Sequence, residues 1–160
     1  MLSVTIQPYS YKKINVLSDL TSVAVLKFSH KSIFDEDFTF TCVYDNLITD
    51  LNNDDIERLF DLLVKNACNN NLITYNSKLF FDTLNVLGNT CNKEIPDEVF
   101  EKVPDLMKKF ARLHNNGRWA KLEDALQYYD HTLNVDTTDP YDMSEKTIIL
   151  YRLMQDNEDL

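Results

Sequence analysis

Loops that cradle phosphates need glycines, because backbone N–H groups must approach the ligand closely. This 160-residue chain has two, Gly88 and Gly117, and neither stands in a P-loop or a dinucleotide fingerprint. Zinc sites need cysteines and histidines at short, paired spacings. Cys42, Cys68 and Cys91 are far apart, and His30, His114 and His131 pair with nothing at ligand spacing. Asp50, Asn52 and Asp54 begin like a calcium loop. That loop needs glycine at its sixth position and glutamate at its twelfth, where this chain has Asp55 and Asp61.

Nucleophilic catalysis has no local signature. There is no G-x-S-x-G turn, and no cysteine lies near a histidine. A site assembled from distant residues remains open, because such sites form only in the fold. His131, near Asp136, reads as a helix-end histidine. The acidic runs Asp35-Glu36-Asp37 and Asp54-Asp55 read as solvated caps or loops. No catalytic residue, cofactor or metal ligand is assigned, and the chain is expected not to be an enzyme.

Charge says more about partners. The formal net charge is −10. A field of that sign repels nucleic-acid phosphates and anionic membranes. It attracts a basic protein, or the nucleic-acid groove of another protein. Residues 1–31 sum to +3, residues 32–61 to −8 and residues 135–160 to −5, with the middle near neutral. Three features are candidate partner-binding sites. Asp54, Glu57 and Asp61 share one helix side, as positions three and four apart do. Tyr9 and Tyr11 adjoin Lys12 and Lys13. Trp119 adjoins Arg118, although its spacing with Leu122 and Leu126 equally fits a core stripe.

The elements that must position these residues follow from periodicity. Leu2, Val4 and Ile6 alternate with Ser3, Thr5 and Gln7, the pattern of a half-buried strand stopped by Pro8. Residues 21–29 read as a second strand, and the alternation of Phe38, Phe40, Cys42 and Tyr44 as a third. These form a small N-terminal antiparallel sheet. After Asp45 the period becomes helical. Ile56, Leu59, Phe60, Leu63 and Ala67 mark one helix, capped by Asn52 or Asn53. Residues 77–87 mark another, with Gly88 as its left-handed cap. Pro96 opens a helical stretch with Val99, Phe100 and Val103 inward. Pro104 splits or kinks it, and residues 115–117 stop it. Trp119, Leu122, Leu126, Tyr129 and Leu133 form the next stripe. Asp142 and Glu145 have capping-box spacing before a last helix, followed by a fraying tail. Strands first and about five helices afterwards predict a single α+β domain over residues 1–160.

No stretch reaches the ~18–20 apolar residues of a membrane helix, and residues 1–8 lack the character of a signal peptide. With three unpaired cysteines, expected to be free and buried, this predicts a cytoplasmic protein. Abundant asparagine and a preference for lysine over arginine suggest an AT-rich genome. Pro8-Tyr9-Ser10-Tyr11-Lys12-Lys13 after the first strand, and Asp55-Ile56-Glu57-Arg58-Leu59-Phe60 opening a helix, resemble small assembly and hub-type proteins of tailed phages. The resemblance implies a non-catalytic assembly or structural component acting through protein–protein contacts, in the host cytoplasm or the virion. The acidic blocks support an alternative, an inhibitor that mimics nucleic acid in a basic groove.

Overall fold

The computed structural model describes residues 1–8, 14–28 and 40–160. A sheet comes first and helices follow, so the chain is α+β, as its patterning predicts. Strands β1 (Leu2–Pro8), β2 (Leu20–Phe28) and β3 (Phe40–Leu47) pair antiparallel. A short strand, β4 (Leu72–Ile73), lies parallel to β1 on its other side, giving the order β3-β2-β1-β4. The sheet is therefore mixed, not purely antiparallel. Two residues carry too little periodicity to announce a strand.

Alternation in β1 predicts one buried face and one wet face, yet both faces are buried. Leu2, Val4 and Ile6 pack into one core with Val23 and Val25 of β2. Ser3 and Thr5 are buried against the opposite layer. There the Ser3 hydroxyl donates to the Ser144 carbonyl at 3.1 Å, and the Ser144 hydroxyl donates to Ser3 Oγ at 2.9 Å. These bonds satisfy polar groups that burial removes from water. By contrast, β3 is an outer strand with Thr41, Cys42 and Val43 exposed. The expectation of three buried thiols thus fails at Cys42, and Cys68 and Cys91 are only partly buried.

Six α-helices cover the sheet among the described residues. The first three, α1 (Asn53–Cys68), α2 (Ser77–Cys91) and α3 (Asp97–Lys102), build the core that holds Val4 and Ile6. The others, α4 (Leu106–His114), α5 (Leu122–Tyr128) and α6 (Pro140–Asp156), build a second core around Leu26, Phe28 and Ile73. Of the two expected caps, Asn52 is the one that caps α1, accepting from the Asp55 N–H at 3.0 Å. Pro104 separates α3 from α4, and Pro96 stands just before α3 rather than inside its first turn. Phe100, expected inward, is 44% exposed, with its ring against Phe81 at 5.0 Å.

Two further expectations about helix ends are corrected. Gly88 does not cap α2. The helix continues to Cys91, and Asn92, at φ 54°, is the left-handed residue. Gly88 instead allows close packing: a Cβ there would lie 2.7 Å from the Lys93 carbonyl and 3.0 Å from the Phe60 ring. At the start of α6, Asp139 is the cap and Pro140 the first helical residue. Asp142 lies inside the first turn, where its carboxylate accepts from the Asp136 N–H at 2.8 Å.

Asp105 joins the two cores. Its Oδ1 caps α4, accepting from the Lys108 N–H at 2.7 Å. Its Oδ2 accepts from the Ser77 hydroxyl at 2.6 Å and the Ser77 N–H at 3.2 Å, at the start of α2. Asp105→Ala is expected to destabilise the fold by about 2–4 kcal/mol, because it removes a helix cap and leaves buried donors unmet. Gly88→Ala is expected to cost about 1–3 kcal/mol through overpacking between α1 and the end of α2. Urea denaturation of both variants measures these losses. An unchanged midpoint for either would contradict the contact assigned to it.

Candidate interaction site

The acidic trio lies where its spacing puts it. Asp54, Glu57 and Asp61 are exposed on the outer side of α1. Two of them are already engaged. Lys93 Nζ, just after α2, lies 2.8 Å from Glu57 Oε1 and 2.7 Å from Asp61 Oδ1. Its pKa is pushed up to about 12 by hydrogen bonds to Asp61 and Glu57. Tyr9 and Tyr11, with Lys12 and Lys13, lie outside the described residues.

Trp119 is the sequence candidate that the fold displays. It is 65% exposed and precedes α5, so it belongs to no core stripe. A turn built by residues 115–118 sets its position. Asn116, at φ 49°, and Gly117, at φ 75°, are both left-handed. The Gly117 N–H donates to the Ala111 carbonyl at 2.8 Å, and the Arg118 N–H to the Asn115 carbonyl at 2.8 Å. Asn115 Nδ2 closes the turn by donating to the Arg118 carbonyl at 2.9 Å. Without a Cβ, Gly117 takes its conformation at no steric cost.

This turn places Trp119 over a cleft of about 230 Å³ beside α4, floored by Met107 and Ala111 and rimmed by Lys108 and Arg112. The rim residues are four apart and share a helix side. Leu113, near the end of α4, is 45% exposed. Over residues 105–121 five cations (Lys108, Lys109, Arg112, Arg118 and Lys121) face one acid, Asp105, a net of +4. Averaging over the whole middle of the chain hides this island in the sequence.

A second concavity, of about 270 Å³, opens between the sheet and the helices. Its origin is a splitting of chains. The β1–β4 ladder ends at Ser3↔Ile73. Thr74 then bridges to Asp105, and the Leu106 and Met107 N–H groups donate to the Thr74 and Tyr75 carbonyls at 3.3 and 3.0 Å. Residues 74–76 are drawn away from β1, and the gap lies between Val4 and Ile6 on one side and Leu79, Met107 and Leu122 on the other.

A third group, absent from local spacing, is assembled only by the fold. His114 Nε2 lies 2.7 Å from Asp159 Oδ2, and the Tyr129 hydroxyl donates to the same oxygen. Tyr128 stacks on His114, with ring centroids 4.3 Å apart. Asp159 is thereby held, and its N–H donates to the Met154 carbonyl at 2.7 Å. The tail expected to fray is anchored by these bonds. Burial, then the Asp159 carboxylate, pushes the Tyr129 phenol well above its ordinary value. His114 Nε2 and the Tyr129 hydroxyl both meet Asp159, so the group closes a joint between α4, α5 and the C-terminus.

Among the described residues no three or more His, Cys, Asp and Glu side chains are arranged to hold a metal ion, and no helix is long and apolar enough to cross a membrane. No known family model matches the chain, and no curated protein matches it.

The phenol shifts set a pH dependence. Tyr75, buried with its hydroxyl on the Ala120 carbonyl at 2.6 Å, is pushed upward by burial as Tyr129 is. A folded-state pKa above the unfolded value means that the native state keeps the proton longer. The stabilisation is complete below the unfolded phenol value of about 10 and is lost as pH rises beyond it. Denaturation midpoints should therefore fall above about pH 10. Asp159→Asn should bring one phenol back toward its ordinary titration, read by ultraviolet absorbance, and lower stability by about 1–3 kcal/mol.

Proposed function

We propose that this protein is a non-catalytic binding component that works by contact with another protein, and that Trp119 and the basic side of α4 form the contact. The exposure of the chain's single tryptophan beside an apolar cleft carries the reading. Tryptophan and arginine are enriched among residues that dominate binding energy at interfaces. Charge selects the partner class. A net of +4 over residues 105–121, on a chain of −10 overall, complements an acidic protein segment with an apolar side chain for the cleft. The overall negative field disfavours the dense charge of nucleic acid.

This departs from the basic partner that net charge suggests. The nucleic-acid mimic would use the α1 carboxylates, and Lys93 of the same chain already occupies Glu57 and Asp61. The biological setting we propose is assembly of a tailed phage or related mobile element, on the strength of the resemblance in residues 8–13 and 55–60.

Affinity purification from the native host, with wild type and Trp119→Ala side by side, tests the reading. Wild type should retain a virion or assembly component, weakening as salt rises. Trp119→Ala should lose it at least tenfold while its melting temperature is unchanged, because the removed side chain is exposed. Equal retention by the variant would remove Trp119 from the contact. A chain that stays monomeric and retains no protein would end the proposal.

A further inference from the structure

We infer that the gap between β1 and residues 74–76 is a binding site for a small, uncharged, apolar ligand of about ten to twelve carbons, distinct from the Trp119 surface. Size comes first. A dry apolar cavity of roughly 150 Å³ already takes up benzene, and this one measures about 270 Å³. It has room for an aliphatic chain or a ring nearly twice as large.

Lining chemistry fixes the ligand class. Val4, Ile6, Leu79, Met107, Leu122 and Met143 supply apolar wall. Of the polar side chains that line it, Tyr75 and Asn76 are committed elsewhere. The Tyr75 hydroxyl donates to the Ala120 carbonyl at 2.6 Å, and Asn76 Oδ1 accepts from the Leu79 N–H at 3.2 Å. Lys121 and Glu123 stand at the mouth with opposite charges, both exposed to water. A charged head drawn inside would lose its hydration without gaining a buried counter-ion, which is costly. A neutral apolar molecule meets no such penalty.

The geometry also explains why the gap persists in the fold instead of closing. Collapse would need residues 74–76 to return to β1. They are held off by the Thr74–Asp105 bridge and by the bonds from Leu106 and Met107. Those bonds start α4, so closing the gap would unmake the start of that helix. The space is thus built into the chain path and is not a packing fault confined to one side chain.

Titration of the full chain with 1-decanol, followed by methyl NMR, tests this inference. Saturable binding at one site is expected, with shifts concentrated at Val4, Ile6, Leu79, Leu122 and Met143. Two filling variants, Ala120→Leu and Met143→Phe, should each weaken binding at least tenfold while circular dichroism shows the native helix content. Decanoate should bind at least tenfold more weakly than decanol. Non-saturable binding, shifts elsewhere, or unchanged affinity in whichever filled variant folds would overturn the site. Tighter binding of decanoate would overturn the uncharged class. Trp119 does not line the gap, which shares only Met107 with the Trp119 cleft, so Trp119→Ala should bind decanol as wild type does.

Discussion

The carboxylate of Asp105 is the joint on which the two halves of the molecule depend. One oxygen caps α4, and the other takes both polar hydrogens of Ser77 at the head of α2. These two helices belong to different cores on opposite sides of one sheet. A carboxylate accepting several N–H and O–H bonds is strongly oriented, since charge-assisted bonds are roughly twice as strong as neutral ones. The backbone bridge from Thr74 to Asp105 continues the same joint. It ends the β1–β4 ladder, sends residues 74–76 away from the sheet and starts α4. The concavity beside β1 is a direct consequence.

The burial of β1 on both faces is the second constraint. Apolar residues fill one side, and the other side carries Ser3 and Thr5 under α6. A polar hydroxyl in that position must be paired, and Ser3 and Ser144 pair with one another. A strand can thus keep an alternating pattern and still be central. Alternation distinguishes polar from apolar faces; it does not state which of them meets water.

The chain's charge is sorted by the fold into surfaces with different availability. The α1 carboxylates are numerous, but Glu57 and Asp61 are answered by Lys93 from the far end of α2. Of the cations of residues 105–121, Lys108 lies 3.5 Å from Asp105, and Lys108 and Arg112 line the cleft with Trp119. Net charge describes the average field felt at a distance. Contact depends on local sign and shape, and here the local sign at the exposed tryptophan is opposite to the average. The C-terminal acids make the same point, because Asp159 is consumed by His114 and Tyr129.

Sequence alone determined the α+β class, the first three strands, the helical stripes of α1 and α2, a cap at Asn52 or Asn53 and the stop at residues 115–117. Each rests on a local period or on a local turn chemistry that neighbours in sequence supply. It also displayed Asp54, Glu57 and Asp61 on one exposed side, and it put Trp119 forward both as a surface anchor and as a core residue. Tertiary structure decided between those readings, because helix α5 begins only after the turn that Gly117 makes. The same holds for β4, for Gly88 as a packing residue, for the Ser3–Ser144 pair, for the His114–Tyr129–Asp159 group and for the gap beside β1. All of these join residues far apart in the chain, and no local period encodes the distance at which two such segments will meet.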